Sequence, residues 1–353
     1  MRLTGEQSWL EMKTLRLHAI HDLRLTDDPM PVPSAGETLL KVASVGICGS
    51  DAHWYTEGRV GNVTLDKPLI LGHEFTAVIA DGPNQGQRVA VDPAIPCGKC
   101  EWCLEGKPNV CPNIDFAGTG GFDGSLREYL TWPTQNLFPL PENMSNLEGA
   151  LLEPFGVALH ATHLAKIEPG MSVGVYGTGP IGLLAIQIAR IAGATRIFAT
   201  DKIPARLEVA REMGATDTFL ADGEEAKQIL SATNRRGVDL GFEAAGDNGA
   251  VNTAVVSAKP GGRIVVIGIT TDDQTIIPAS PARKKGLTVM MCRRMANIYP
   301  RAIRLVASGQ IDLKPLMSFI YPFSEYDRAF KLAEQRAGIK VMIDFDTLEP
   351  VIK

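Results

Sequence analysis

Gly177-Thr178-Gly179-Pro180-Ile181-Gly182 stands between a run of small and β-branched residues at 172–176 and an apolar stretch at 180–192. A lone Gly-x-Gly-x-x-Gly is a weak signal, but between a strand and a helix it marks a dinucleotide-binding turn. Glycines permit the tight turn and let the backbone approach a pyrophosphate, while the helix N-terminus supplies unpaired N–H groups and partial positive charge. Pro180 suits the first helical turn, where its missing N–H costs nothing. Nineteen residues after Gly182, at the end of the next strand-like run, comes Asp201. A carboxylate there accepts hydrogen bonds from ribose hydroxyls and repels a 2′-phosphate, which favours NAD over NADP. Lys202 and Arg206 follow it, and a nearby cation is what a phosphate would use. The expected cofactor contacts are therefore Gly177, Gly179, Pro180, Ile181, Gly182, Asp201, Lys202 and Arg206.

Around this loop strand and helix patterns alternate: 172–176, 180–192, 196–200, 204–213, 238–242 and 263–268. That rhythm predicts α/β architecture, a doubly wound parallel sheet with helices on both faces. Earlier residues read differently. Short β-branched runs at 38–45, 77–80 and 88–91, separated by turn residues, predict an irregular, mostly β domain. After about residue 296 the α/β rhythm fades. Helical stretches at 300–308 and 325–336 lead to a closing strand at 339–345, and this tail is expected to pack back on the first domain. The expected division is 1–157, 158–296 and 297–353, in line with the two domains that 353 residues suggest.

Net charge is −5, with 21% charged and 45% hydrophobic residues, so no general attraction to nucleic acid or anionic membrane is expected. The longest apolar stretch is interrupted by Gln187 and Arg190 and is too short to span a bilayer. The N-terminus lacks the apolar run of a signal peptide, and the expected location is cytoplasmic. Residues 1–11 precede a second methionine, Met12, and read as a dispensable extension.

Four of the six cysteines, Cys97, Cys100, Cys103 and Cys111, fall within fifteen residues. Four thiolates at this spacing close a tetrahedral zinc site with no open position, which makes the lobe at 93–113 structural rather than reactive. Disulfides fit neither the cysteine count nor the reducing compartment. A ferredoxin-type run has three residues before its last cysteine, whereas seven separate Cys103 from Cys111. A second set is dispersed: Cys48, Asp51 and His53, then His73-Glu74, then Glu153. One thiolate, one imidazole and one or two carboxylates can form a three-ligand zinc site with an open position. Taken singly, such residues are common as core or surface groups.

The order of these motifs is itself informative. Cys48-Gly-Ser-Asp-x-His53, Gly72-His-Glu, the four-cysteine knuckle and the Gly177 loop follow one another as in the zinc-dependent medium-chain dehydrogenases, which the chain resembles over nearly its whole length. Within that family it most resembles the sorbitol/xylitol (polyol) dehydrogenases. The carrying residues are Cys48–Trp54 as a block, 58–62, Glu153-Pro154, Arg294-Met-Ala-Asn297, 299–303 and 339–343. The resemblance implies a GroES-like mostly β catalytic domain joined to a Rossmann cofactor domain. It implies one catalytic zinc, held by Cys48, His73 and Glu74, and one structural zinc. Glu153 would hold the water in the open position or replace it as a ligand, and Asp51 would orient His73. It also implies NAD-linked oxidation of a sugar alcohol's secondary hydroxyl to a ketose, in a homo-oligomer, dimer or tetramer. The alternatives weighed are a related dehydrogenase of threonine or a simple alcohol, and an inactive NAD-binding protein that kept the fold. An intact knuckle is similar to the microbial polyol enzymes with two zincs per subunit.

Hydride removal from an alcohol requires that its O–H proton also leave. The family pattern implies a path from substrate to Ser50, then a ribose hydroxyl, then His53. Hydroxyl-rich substrates need matched polar partners, for which Trp54, Tyr55, Arg59, Arg294, Asn297 and Glu153 are the candidates. The chain departs from the subfamily at Arg293, where an aromatic is expected, and at Met295, Trp54 and Phe75, which leaves the polyol itself open. His160 and His163 read as satisfied helix residues, and Cys292 as a small hydrophobe. The knuckle reading makes a direct prediction: the purified protein is colourless and contains zinc, and a brown protein with visible sulfur-to-iron absorption would contradict it.

Overall fold

The computed structural model describes residues 11–352. The proposed N-terminal extension lies, for residues 1–10, outside them. Met12 is buried in the first strand, Glu11–Ala19.

The six parallel strands of the second half run in the order Asp217–Leu220, Arg196–Asp201, Ser172–Tyr176, Val238–Glu243, Ala258–Val266, Thr288–Met291. The strand earliest in sequence lies inside the sheet, and the order reverses on either side of it. This is the doubly wound arrangement, whose ligand crevice opens at that switch point. Parallel strands covered on both faces become continuously apolar, and Val238–Glu243 is buried at every position. One face packs Val173, Val175, Leu183, Ile186 and Ile197. The other packs Tyr176, Phe198, Ile229, Ala254 and Ile264. The strand expected at 263–268 starts earlier, at Ala258, and ends at Val266. Its Pro260-Gly261-Gly262 stretch hides the strand pattern in the sequence, and the register against Val238–Glu243 shifts there.

The first half forms a bent antiparallel sheet around the strand Glu37–Gly46. That strand pairs with Tyr129–Pro133 through residues 37–41 and with Lys340–Asp344 through residues 44–46. Glu74–Ile79 pairs with it along its other edge, with a register shift between Val42 and Ser44. The C-terminal strands Met317–Pro322 and Lys340–Asp344 thus belong to the first sheet. The helix Tyr299–Ala307 instead packs, through Tyr299, Ala302 and Val306, with the apolar cluster of the parallel sheet.

The helix Leu152–Ala165 packs in that same cluster and carries Glu153 at its start. Phe155 is fully buried there, beside Leu151, Leu183 and Phe242. It fixes the helix against the cofactor sheet. Replacing Phe155 with Ala is expected to lower stability by about 3–5 kcal/mol, read as a lower urea midpoint; an unchanged midpoint would mean the helix is anchored elsewhere.

Candidate active site

Cys48 caps the helix Gly49–Glu57, and His73 and Glu74 stand at the start of the strand Glu74–Ile79. The Asp51 carboxylate joins the two segments. Its Oδ2 accepts from the Cys48 N–H at 2.9 Å and its Oδ1 from the Gly72 N–H at 3.1 Å. One donor atom from each of Cys48, His73 and Glu74 lies within 4.8 Å of the others. Asp51 Oδ1 stands 3.6 Å from His73 Nδ1, which is buried and without a hydrogen-bond partner. That distance is long for a hydrogen bond but short enough for charge to act. Burial disfavours a charged His73 ring, yet Asp51 and Cys48 raise its proton affinity well above the ordinary value. A pocket that concentrates this much negative charge around one imidazole fits a metal cation. The trio leaves a fourth position free, as a reactive zinc site requires.

Glu74 is 1% exposed and Lys340 4%. Lys340 Nζ donates to both Glu74 oxygens at 2.8 Å and to the Ile47 carbonyl at 3.2 Å. A Cβ on Gly46 would overlap the Glu74 carboxylate, so only glycine fits there. The motif around Lys340 was visible in the sequence; its partner, 266 residues away, was not. Glu153 is buried nearby but is not one of the three clustered donors. Burial pushes its carboxyl up to about 7, opposed by His73 and reinforced by Glu74.

Ser50 and His53, three apart, share a helix face. Ser50 Oγ lies 3.5 Å from His73 Nε2, and His53 Nδ1 lies 2.8 Å from Glu57 Oε1. A cleft of about 430 Å³ is lined by Phe116, Thr119, Phe122, Arg293 and Arg294 among others. Phe116 connects it to the trio: its ring is 5.3 Å from that of His73, and the Arg294 guanidinium lies over it at 4.0 Å. Phe116 and Thr119 carry no motif that sequence reasoning could have singled out.

Of the other substrate candidates, Trp54 is 2% exposed, packed in the apolar cluster of the first sheet and bordering a smaller, adjoining cavity. Tyr55 packs edge-on against His21 and beside Phe330, away from the cleft. Arg59 donates to the Thr271 carbonyl at 3.2 Å, and neither it nor the exposed Asn297 lines the cleft. Met295 is buried against Gly156. His160 accepts from Asn109 at 3.4 Å, His163 is exposed, and Cys292 is partly buried against the core.

The four knuckle cysteines form a second cluster. Successive Sγ separations are 3.4, 3.7 and 3.5 Å. They are too long for disulfides and near the roughly 3.8 Å edge of a tetrahedron with zinc–sulfur bonds of about 2.3 Å. Asn109, between Cys103 and Cys111, donates to the Arg293 carbonyl at 2.9 Å. The lobe thereby holds one wall of the cleft.

At the dinucleotide loop, Gly177 has φ +98°, and a Cβ there would strike the Ala245 backbone. A Cβ on Gly182 would overlap the Gly177 carbonyl, while one on Gly179 would meet only the Arg206 guanidinium, at 4.0 Å. Gly179 caps the helix Pro180–Ile191. These are the turn, helix-packing and open-approach roles a bound pyrophosphate needs, so the loop fits a dinucleotide. Asp201 Oδ2 accepts from the Thr178 N–H at 2.7 Å and its Oδ1 from the Ile203 N–H at 2.9 Å. Lys202 pairs with Asp247 at 3.0 Å. Arg206 donates to the Arg336 and Gly338 carbonyls.

Residues 180–308 match the family model described as zinc-binding dehydrogenase, and residues 34–142 that of the alcohol dehydrogenase GroES-like domain. Sorbitol dehydrogenase of Bacillus subtilis is 37% identical, over 94% of this chain and 97% of its own. The crystal structure of L-idonate 5-dehydrogenase from Escherichia coli superposes with a TM-score of 0.89 at 28% identity, covering 95% of this chain and 99% of that one. A short chain alcohol dehydrogenase of Escherichia coli CFT073, complexed with NADH, gives 0.87 at 31% identity, covering 95% and 99%.

Glu153 sets a pH test. Its carboxyl titrates near 4.5 when exposed and about 7 when buried here, so the folded state holds the proton more tightly. Its stabilising contribution is complete below the lower value and is lost as pH rises through the upper one. In chelator-stripped protein, Glu153→Gln should therefore flatten the fall in urea midpoint between these limits. Asp92, raised to about 6 chiefly by burial, leaves a residual slope of the same sign. An unchanged slope in the variant would contradict the burial account.

Proposed function

The chain belongs to the zinc-binding, medium-chain dehydrogenase family, and from that premise we propose that it oxidises a secondary hydroxyl of a sugar alcohol to a ketone, with NAD as hydride acceptor. The observation carrying this reading is the cluster of Cys48, His73 and Glu74 donors, joined through Phe116 to a cleft that sets Asp115, Thr119, Arg293 and Arg294 among apolar walls. The kinship to sorbitol and L-idonate dehydrogenases supports the substrate class.

In this reading Cys48 and His73 hold a catalytic zinc together with Glu74, the carboxylate within reach, and Glu153 stands by as the second. Bound there, zinc supplies the Lewis acidity that makes a substrate hydroxyl acidic enough to lose its proton. A bound nicotinamide would accept the hydride of the carbon, and the oxygen would give up a proton. Ser50, against His73, takes that proton first. His53, 2.8 Å from Glu57, would receive it next, by way of a ribose hydroxyl were a dinucleotide bound. Phe116 and the Leu152–Ala165 helix keep bulk water from the reacting carbon, and Arg294 lines the cleft that receives the rest of the substrate. Asp201, beneath the Gly loop, retains acceptor capacity for a ribose hydroxyl. NAD is the preferred form, because Lys202 and Arg206 are engaged by Asp247 and by backbone carbonyls.

The same reading assigns 1–157 to the catalytic domain, 158–296 to the cofactor domain and 297–353 to a returning segment. It gives each subunit one catalytic and one structural zinc, the latter at Cys97, Cys100, Cys103 and Cys111. It places the enzyme in the cytoplasm as a dimer or tetramer. Among the described residues no helix is long and apolar enough to cross a membrane.

A panel of polyols, threonine and primary alcohols, followed by NADH or NADPH absorbance, tests the proposal. Polyol turnover should be highest, with NAD preferred by kcat/KM, and Ser50→Ala should lower kcat by about 100-fold. Turnover of threonine or a primary alcohol but no polyol would overturn the substrate class. Full activity in Ser50→Ala would remove the relay.

A further inference from the structure

The cleft beside the donor trio is lined by two consecutive arginines, Arg293 and Arg294, and by one carboxylate, the exposed Asp115. Some of the chain's other arginines are paired closely. Arg24, Arg196 and Arg236 each meet a carboxylate at 2.6–2.7 Å. Acidic residues outnumber basic ones, 40 to 35, so partners are not scarce. Yet among the described residues neither Arg293 nor Arg294 forms an ion pair, and Arg294 Nη1 is buried with no hydrogen-bond partner.

The backbone holds both arginines in place. Asn109, 7% exposed, donates to the Arg293 carbonyl at 2.9 Å. Arg294 takes a left-handed conformation, φ +51°, and its guanidinium is spread over Phe116 at 4.0 Å. Arg294 is partly buried and Arg293 exposed beside it, and an anion joining the two would relieve the repulsion between adjacent like charges. Burial and the neighbouring Arg293 both work against the Arg294 charge, while Glu153 and Asp92 offset them in part. Arg293 is exposed, and it stands where the subfamily resemblance leads one to expect an aromatic. Guanidinium forks match carboxylate and phosphate oxygens. One aromatic ring separates His73 from the Arg294 guanidinium, so a polyol several carbons long can reach from the donor trio to the arginines.

We propose that the preferred substrate is a polyol ending in an anion, a terminal phosphate or carboxylate, that Arg293 and Arg294 grip at the end remote from the reacting carbon. The inference rests on the polyol reading and narrows it. The negative charge of the substrate, rather than its length, is what the cleft selects.

The test compares kcat/KM for matched pairs: sorbitol against sorbitol 6-phosphate, galactitol against galactitol 1-phosphate, and both neutral polyols against L-idonate and gluconate. An anionic member should exceed its neutral counterpart by about tenfold, with the advantage shrinking as salt is raised. The phosphate and carboxylate arms show which anion is meant. In Arg293→Gln the anionic-to-neutral ratio should fall to about one, and Arg293→Lys should keep part of it. Thermal unfolding checks that both variants fold, and calorimetric titration of zinc-replete protein without NAD, using sorbitol 6-phosphate and sorbitol, should give the same order of affinity. Neutral polyols turned over equally well or better by the wild type would overturn the inference and leave the polyol reading standing. So would an unchanged ratio in Arg293→Gln. No turnover of any polyol, neutral or anionic, would overturn both.

Discussion

The buried pair between Lys340 and Glu74 is the contact on which the arrangement of the first domain's site turns. It brings the C-terminal strand Lys340–Asp344, the strand Glu74–Ile79 and the Ile47 carbonyl to one point. Removing two charges from water costs several kcal/mol each, and their attraction repays this only when the remaining hydrogen bonds are satisfied. Here they are. Lys340 reaches both Glu74 oxygens and a carbonyl, and Gly46 leaves room for the carboxylate to approach the strand. The returning tail follows from this: without residue 340 the carboxylate would be an uncompensated charge in the core.

The same pair shapes the electrostatics of the site. Cys48, Asp51, Glu74 and Glu153 crowd one imidazole, and Lys340 is the buried cation that offsets them. Charge on that scale in a buried pocket fits a metal better than a purely structural polar network. The carboxylates divide the labour by environment. Glu74 is tied to a lysine, Asp51 to backbone N–H groups, and Glu153 has no such bonds and is pushed toward its neutral form by burial. Across the cleft, the knuckle contributes through Asn109, which fixes the turn carrying Arg293 and Arg294. The knuckle is thus one wall of the cleft as well as a clamp on its own loop.

Much of this was legible in the sequence because the signals are local. The Gly177 loop, its flanking strand and helix, and the four cysteines each lie within one short segment, where backbone geometry alone dictates residue type. The strand at Arg88–Val91 and the helix from Pro180 fall where alternation and periodicity place them. What was hidden depends on pairing at a distance. Lys340 acquires meaning only from Glu74, Asn109 only from Arg293, and Phe116 only from the rings and guanidinium on either side. Trp54, a candidate substrate contact, is turned by its helix into the core of the first sheet and borders the smaller cavity. Arg59 is drawn to the carbonyl of Thr271 instead of the cleft.

The account stands on the claim that Cys48, His73 and Glu74 hold a metal of their own, distinct from the knuckle. Diffraction from crystals of the protein at the zinc absorption edge tests this directly. Two anomalous peaks per subunit are expected, one among the four knuckle cysteines and one about 2.0–2.3 Å from the donor atoms of Cys48, His73 and a carboxylate. A single peak at the knuckle in zinc-replete protein, with nothing beside Cys48 and His73, would contradict it.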